Sequence, residues 1–121
     1  MKFFIVDDDQ AAIDLMAALL EARGHTVFSS IAGAYALPQI NAKRPDCVLT
    51  DLVMAELNGL ELCRELKAQQ ELRNLKIVMI SARPRDLWLE RARAAGAAGY
   101  IVKPVQIKTF VQEVEKILSG G

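Results

Sequence analysis

Residues 47–51 are Cys-Val-Leu-Thr-Asp, a short apolar run that ends on a carboxylate. Short apolar runs bounded by turn residues are typical of strands buried on both faces of a parallel sheet. Pro45 and Asp46 supply the turn before this run. We therefore predict a strand over residues 47–50 that ends on Asp51.

The same pattern recurs along the chain, with apolar runs separated by helical segments. The other predicted strands are residues 3–6, 25–29, 76–80, which ends on Ser81, and 100–102, which ends on Lys103. The first predicted helix has Ile13, Met16, Ala17 and Leu20 on one apolar stripe and ends at Gly24. Three more helices are predicted over residues 33–43, 60–70 and 86–95. A last helix has one apolar face made of Ile107, Phe110, Val114 and Ile117. This alternation predicts an α/β fold, a doubly wound five-stranded parallel sheet flanked by five helices.

The second predicted helix contains Pro38. Proline is favoured at the first position of a helix but costs about 3 kcal/mol in its interior. Either this helix starts late, near Leu37, or its first turn is distorted.

Composition excludes several functional classes. Fifteen Lys plus Arg balance fifteen Asp plus Glu, so the chain lacks the basic excess of nucleic-acid binders, and we expect no direct nucleic-acid binding. No run approaches the roughly eighteen apolar residues of a membrane span, and the apolar start is too short for a signal peptide. We expect a cytoplasmic protein with Cys47 and Cys63 reduced. The length suits a single domain over residues 1–121, with residues 119–121 as a tail or the start of a linker.

Polar residues end the strands at the edge where doubly wound sheets bind ligands. They are Asp7, Asp8 and Asp9 after the first strand, Asp51 after the third, Ser81 after the fourth and Lys103 after the fifth. Clustered carboxylates repel one another unless a cation intervenes, and oxygen ligands without His or Cys select Mg²⁺. A carboxylate nucleophile, a divalent ion, a lysine and a hydroxyl together make a site for phosphoryl transfer onto aspartate.

Each of these residues alone has a plainer explanation. Acidic runs after strands are usually solvated loops, an aspartate at a strand end is often a helix cap, and a single lysine is usually a surface charge. Their convergence at one edge, with matching chemistry, favours the functional interpretation.

Over nearly its whole length the chain resembles the receiver domain of bacterial two-component response regulators. The matching segments, in order and spacing, are residues 5–8, 48–54, Asn58-Gly59, Ser81-Ala82, 96–100 and Lys103-Pro104. The resemblance implies a flavodoxin-like sheet with strand order 2-1-3-4-5. It also implies a regulatory domain, not an enzyme, that catalyses its own phosphorylation and slow dephosphorylation. The implied partners are a sensor histidine kinase or phosphotransfer protein and a downstream protein target or effector domain.

The resemblance also assigns roles to individual residues. It implies Asp51 as the phosphoacceptor, Asp7, Asp8, Asp51 and the Val53 carbonyl as Mg²⁺ ligands, Lys103 as the phosphate contact, Ser81 and Tyr100 as the switch pair, and Pro104 as a cis-proline. The switched face would comprise the fourth helix, fifth strand and fifth helix, and a homodimer could form through it.

Two positions depart from the family pattern, Ala55 where proline is common and Asn58 where aspartate is common. Without the proline we expect a more mobile loop after Asp51. Val53 and Arg83 flank the route by which water reaches an acyl phosphate. An apolar Val53 should slow hydrolysis, whereas the sign of the effect at Arg83 stays open.

A basic cluster surrounds the fourth predicted helix and contains Arg83, Arg85, Arg91 and Arg93. It is either a solvated face or a docking site for an acidic partner, including the final helix of a second copy with Glu113 and Glu115. Trp88 either packs inward or anchors a partner. We predict that His25 is structural or solvent-exposed, because it is far in sequence from a suitable partner.

Three other functions would use some of the same residues or the same fold. A haloacid-dehalogenase-like phosphatase would use Asp7 and Asp9, but the following Gln10-Ala11-Ala12 and the short chain argue against it. A flavin or nucleotide binder is disfavoured because three aspartates repel phosphate. The main alternative is a receiver-like module that binds partners without phosphorylation.

Overall fold

The computed structural model describes residues 1–54 and 57–120. Its strands are β1 (Lys2–Val6), β2 (Thr26–Ser30), β3 (Cys47–Asp51), β4 (Lys76–Ser81) and β5 (Gly99–Val102). Its helices are α1 (Gln10–Glu21), α2 (Gly33–Lys43), α3 (Gly59–Ala68), α4 (Arg85–Ala94) and α5 (Phe110–Leu118), with a short 3₁₀ helix at Gln70–Leu72. The predicted alternation of strands and helices is confirmed.

The five strands form one parallel sheet in the order β2-β1-β3-β4-β5, which confirms the predicted architecture. Thr50 of β3 lies beside Val6 of β1 and Met79 of β4. Because β1 and β3 are parallel neighbours in this register, Asp7 and Asp51 emerge side by side at their carboxyl ends. The topology therefore creates the site from residues more than forty positions apart.

The core has one layer on each face of the sheet. One layer joins Phe4, Val48 and Ile77 of the strands to Leu62 and Leu66 of α3. The other joins Phe3, Ile5, Leu49 and Val78 to Met16 of α1 and Phe110 of α5. Strand side chains alternate between the layers, so the strands are apolar on both sides and their polar residues collect at the ends.

The second helix begins at Gly33, so the prediction of a late start near Leu37 is wrong. The Ala36 N–H donates to the Ala32 carbonyl at 3.1 Å, which closes the first turn. Pro38 sits in the helix interior, where it has no N–H to donate. The packing of Ala36 and Ile40 in the core keeps the helix in place despite that missing bond.

Several predicted helix and strand boundaries differ from the observed ones. His25 precedes β2, which begins at Thr26, and α3 ends at Ala68, before the 3₁₀ helix. Ile107 lies outside α5, in a turn over residues 107–109, and its side chain is 66% exposed. Helical spacing extends into this turn, but the turn carries Ile107 away from the core that Phe110 enters.

His25 has partners that its sequence position did not suggest. Its ring packs edge-on against Phe3, with the centroids 4.9 Å apart. Its Nε2 lies 3.5 Å from a Glu115 carboxylate oxygen, and Arg23 reaches the same side chain at 3.5 Å. The prediction that His25 is structural is therefore confirmed, and its partner Glu115, although far away in sequence, is brought near because the fold places α5 beside the start of β2. No helix among the described residues is both long and apolar enough to cross a membrane.

Candidate functional site

Asp51 ends β3 with its side chain almost enclosed, since the residue is only 9% exposed. Its Oδ1 accepts a hydrogen bond from the Leu52 N–H at 2.9 Å, which fixes the orientation of the carboxylate. Its Oδ2 faces the ammonium of Lys103, with the nitrogen 3.6 Å away. One oxygen is thus held by the backbone while the other faces a positive charge.

Asp7 and Asp8 follow β1 and complete an acidic cluster with Asp51. One carboxylate oxygen of each residue lies within 4.8 Å of the others. Asp7 is 1% exposed, and its Oδ1 accepts from the Asp9 N–H at 2.9 Å. Its Oδ2 accepts from Lys103 Nζ at 2.7 Å. Asp8 is the exposed member, so the cluster opens to solvent on that side.

Lys103 reaches the cluster from the end of β5. Its backbone N–H donates to the Ser81 carbonyl at 2.8 Å, and its peptide bond to Pro104 is cis. Burial alone would lower the pKa of the Lys103 ammonium, but the hydrogen bond and charge of Asp7 and the charge of Asp51 outweigh it and raise that pKa. Lys103 therefore stays charged at neutral pH.

At Asp51 the effect of burial on the pKa outweighs the effect of the neighbouring positive charge. Burial is the largest influence on its pKa and raises it, and the negative charges of Asp7 and Asp8 raise it further. The charge of Lys103 and the hydrogen bond from Leu52 lower the pKa but do not reverse the shift. The charge of Lys103 therefore does not fully offset the burial of Asp51 and the repulsion from its two acidic neighbours.

With this geometry established, comparison with known proteins identifies the family. Residues 3–115 match the response regulator receiver domain. The chain belongs to the response regulator receiver domain family. The polar-differentiation response regulator DivK of Brucella ovis is 31% identical over 97% of this chain and 95% of its own length.

Solved structures agree with this assignment. The receiver domain of NtrX from Brucella abortus is 30% identical, with a TM-score of 0.86 over 98% of this chain and 99% of its own. The chemotaxis response regulator CheY4 of Vibrio cholerae is 24% identical and shares the fold, with a TM-score of 0.91 over 97% of this chain and 98% of its own. The predicted role, a phospho-accepting receiver domain of two-component signalling, is confirmed at the level of the family. The alternative of a phosphorylation-independent module is not favoured.

The acidic cluster of this receiver domain fits a hard divalent cation. Asp7, Asp8 and Asp51 supply only oxygen atoms, which suits Mg²⁺ rather than a soft metal. Burial is the main cause of the raised pKa of Asp51, and repulsion by Asp7 and Asp8 adds to it, so a bound cation would favour the ionised carboxylate. The fourth proposed ligand is the carbonyl of Val53, whose residue is 50% exposed. Ala55 lies outside the described residues.

Ser81 and Tyr100 both hydrogen-bond to the backbone of Arg83. Ser81 is 1% exposed, and its Oγ accepts from the Arg83 N–H at 3.1 Å. Tyr100 is 4% exposed, and its hydroxyl donates to the Arg83 carbonyl at 3.0 Å. The tyrosine therefore occupies an inward position, bonded to the loop between β4 and α4.

The sequence pointed to two residues near the site but did not reveal their contacts. Gly59 packs against the backbone carbonyl of Asp51, where an added Cβ would collide with that oxygen and with Met79. Asn58 precedes it, and its side chain caps α3 by accepting from the Glu61 N–H at 2.9 Å. The Asn-Gly pair signals a turn, but contact with the Asp51 backbone appears only in the fold. The second is Arg83, which joins Ser81 to Tyr100 through its backbone and leaves no signal in residue type.

Proposed function

We propose that Asp51 accepts the phosphoryl group in this receiver domain, with residues 1–121 acting as one unit. The observation that supports this most directly is the convergence of Asp7, Asp8, Asp51 and the Lys103 ammonium at one sheet edge. The donor is the phosphohistidine of a sensor kinase or phosphotransfer protein.

In the proposed reaction an oxygen of the Asp51 carboxylate attacks the phosphorus of the phosphohistidine. The phosphorus–nitrogen bond breaks, its electron pair returns to the imidazole, and an acyl phosphate forms on Asp51. The attack needs an ionised carboxylate, and the charge of Lys103 favours that form. Lys103 then lies close enough to hold the new phosphoryl oxygens.

Asp7, Asp8, Asp51 and the Val53 carbonyl would hold the Mg²⁺ that this chemistry requires. Bound Mg²⁺ neutralises charge that develops on the transferring phosphoryl group. Asp7 is preorganised for this role, because its two oxygens already accept from the Asp9 N–H and Lys103 Nζ.

The phosphoryl group would change the protein through Ser81 and Tyr100. A hydroxyl that turns toward a phosphoryl group leaves the Arg83 N–H that it now accepts from. The loop before α4 then shifts relative to Tyr100, which alters the face formed by α4, β5 and α5. That face would bind the downstream protein, an effector domain or a second copy of the chain.

The decisive experiment is incubation with Mg²⁺ and a small acyl-phosphate donor, followed by intact-mass measurement. Wild type should gain one phosphoryl group, and Asp51→Asn should gain none. Asp46→Asn is the matched control, because Asp46 lies at the opposite end of β3 and should leave the adduct unchanged. Absence of an adduct on wild type with several donors, or an adduct on Asp51→Asn, would refute the assignment.

The switch is tested separately with Ser81→Ala. This variant should still form the adduct while losing most of the change in partner binding that phosphorylation causes. An unchanged response would show that the signal does not pass through Ser81.

A further inference from the structure

Trp88 carries an arrangement that the phosphoryl-transfer site does not use. The guanidinium of Arg91 lies 4.6 Å from the centre of its ring, and that of Arg83 lies 5.5 Å from it. The indole is partly buried and packs against the core layer that includes Leu62 and Leu66 of α3. Trp88 therefore packs inward against the core, and the guanidiniums of two exposed arginines lie over its ring.

The two stacked guanidiniums have no carboxylate partner inside the described part of the chain. The ion pairs there involve Arg23, His25 and Lys103. Leu87 adds a large apolar side chain that is 68% exposed, one helical turn before Arg91. We call Arg83, Leu87, Trp88 and Arg91 the Trp88 patch. It combines positive charge that forms no ion pair within residues 1–54 and 57–120 with exposed apolar area, on a chain of zero net charge.

The patch is joined to the site through Arg83. The backbone of this residue donates to Ser81 Oγ at 3.1 Å and accepts from the Tyr100 hydroxyl at 3.0 Å, while its side chain stacks on Trp88. A movement of the Ser81 hydroxyl would break the hydrogen bond from the Arg83 N–H, and Arg83 also places its guanidinium over the indole. No other residue of the patch hydrogen-bonds to Ser81 or Tyr100 in the described structure.

We propose that the Trp88 patch binds an acidic, amphipathic segment of a partner protein, and that phosphorylation exposes it by withdrawing Arg83 from Trp88. Planar guanidiniums bind carboxylates through paired hydrogen bonds, and Leu87 and the uncovered indole contact apolar side chains of the segment. The coupling rests on the proposed function of Asp51, whereas the binding chemistry of the patch does not.

Binding is tested with a dye-labelled peptide of about 14 residues, built from Leu at helical a/d-type spacing with Glu elsewhere. Fluorescence anisotropy should show binding to the full chain, and a peptide with Lys in place of Glu should not bind. Arg91→Gln should weaken binding about tenfold, the loss expected for one charge-assisted contact. Arg93→Gln is the matched control, because Arg93 is about 200° around the helix from Arg91 and should change affinity little.

Three results would overturn the binding proposal. The first is that the peptide does not bind to the wild-type protein. The second is an equal loss of peptide affinity in Arg91→Gln and Arg93→Gln, which would indicate diffuse charge attraction. The third is an Arg91-dependent dimer in sedimentation of the protein alone, which would make a second copy of the chain the occupant of the patch.

The coupling is tested with the intrinsic fluorescence of Trp88, the only tryptophan in the chain. Phosphorylated wild type, verified by mass, should bind the peptide at least about threefold more tightly, and its Trp88 emission should change. Ser81→Ala should change the emission of the unmodified protein, because it removes the acceptor of the Arg83 N–H. If no adduct forms, the proposed function fails while the peptide and Ser81→Ala measurements still decide the patch. An adduct with unchanged affinity, or an unchanged emission in Ser81→Ala, would refute the coupling.

Discussion

Replacing Asp51 with Asn should stabilise the metal-free protein, although it destroys the proposed phosphoacceptor. The ionised carboxylate of Asp51 has oxygens of Asp7 and Asp8 within 4.8 Å and Lys103 Nζ at 3.6 Å. At an effective dielectric constant of about 20, each repulsion is roughly 3.5 kcal/mol and the attraction to lysine about 4.6 kcal/mol. Because Asp8 is exposed, solvent weakens its repulsion of Asp51. The remaining repulsion from the two aspartates and the attraction to Lys103 therefore nearly cancel.

Burial of the Asp51 carboxylate then decides whether Asp51→Asn raises or lowers the free energy of unfolding. The residue is 9% exposed, and desolvation is the largest cause of its raised pKa. Asn removes the buried charge and keeps an oxygen to accept from the Leu52 N–H. We therefore expect a gain of about 1–2 kcal/mol in the free energy of unfolding, after allowance for partial solvation of the site. For a chain of this length, that gain raises the melting temperature by roughly 3–8 °C.

The assay is urea and thermal unfolding of wild type and Asp51→Asn in a metal chelator, repeated in Mg²⁺. A raised pKa in the folded state means that the penalty appears as pH rises above about 4, so the advantage of Asn should vanish in acid. Added Mg²⁺ should stabilise wild type more than the variant, because Asn is a poorer ligand. Asp9→Asn is the control, since its side chain caps α1 by accepting from the Ala11 N–H. A destabilised Asp51→Asn in chelator, or an equal gain in Asp9→Asn, would refute the electrostatic reasoning.

Two further predictions concern the surroundings of the site. Gly59→Ala should destabilise the fold by about 1–3 kcal/mol and slow phosphorylation of Asp51, because the new Cβ meets the Asp51 carbonyl and Met79. Gly120→Ala is the control, since its Cβ would meet nothing within 4 Å and should leave phosphorylation unchanged. Equal phosphorylation rates for both variants would contradict the packing argument. Burial raises the pKa of the Cys63 thiol to about 11 and that of the Cys47 thiol further. Iodoacetamide at pH 8 should therefore alkylate both cysteines only when the protein unfolds, and rapid labelling of the native protein would contradict this. The free energy of unfolding should fall as pH rises above about 9, because thiols of the unfolded chain ionise first.

Much of the fold could be predicted because its signals are local and periodic. Residues 47–49 are apolar, and a short apolar run that follows a turn is typical of a strand buried on both faces. Pro38 and Ile107 show the limit of such signals. Core packing of Ala36 and Ile40 outweighs the bond lost at Pro38, whereas the turn over residues 107–109 removes Ile107 from a face that its spacing favoured.

The site was predictable as a set of residues but not as a set of contacts. Parallel strands place their carboxyl ends along one edge, so residue type and strand order were enough to bring Asp51 and Lys103 together. Which oxygen faces Lys103 depends on side-chain packing and on the Leu52 N–H, and neither has a sequence pattern. Arg83 illustrates the same limit, since its links to Ser81 and Tyr100 are made by backbone atoms that every residue carries.

The three consecutive aspartates show most clearly what sequence leaves undetermined. Asp7 is buried and bonded to Lys103, Asp8 is exposed at the mouth of the cluster, and Asp9 caps α1. Chemically identical side chains thus have different surroundings, because the chain turns from strand to helix within three residues. Asp9 caps the helix and is not part of the acidic cluster, so only two of the three consecutive aspartates lie close to Asp51. The turn both exposes Asp8 to solvent and directs the Asp9 N–H at Asp7, so the geometry that builds the helix also orients the buried acid.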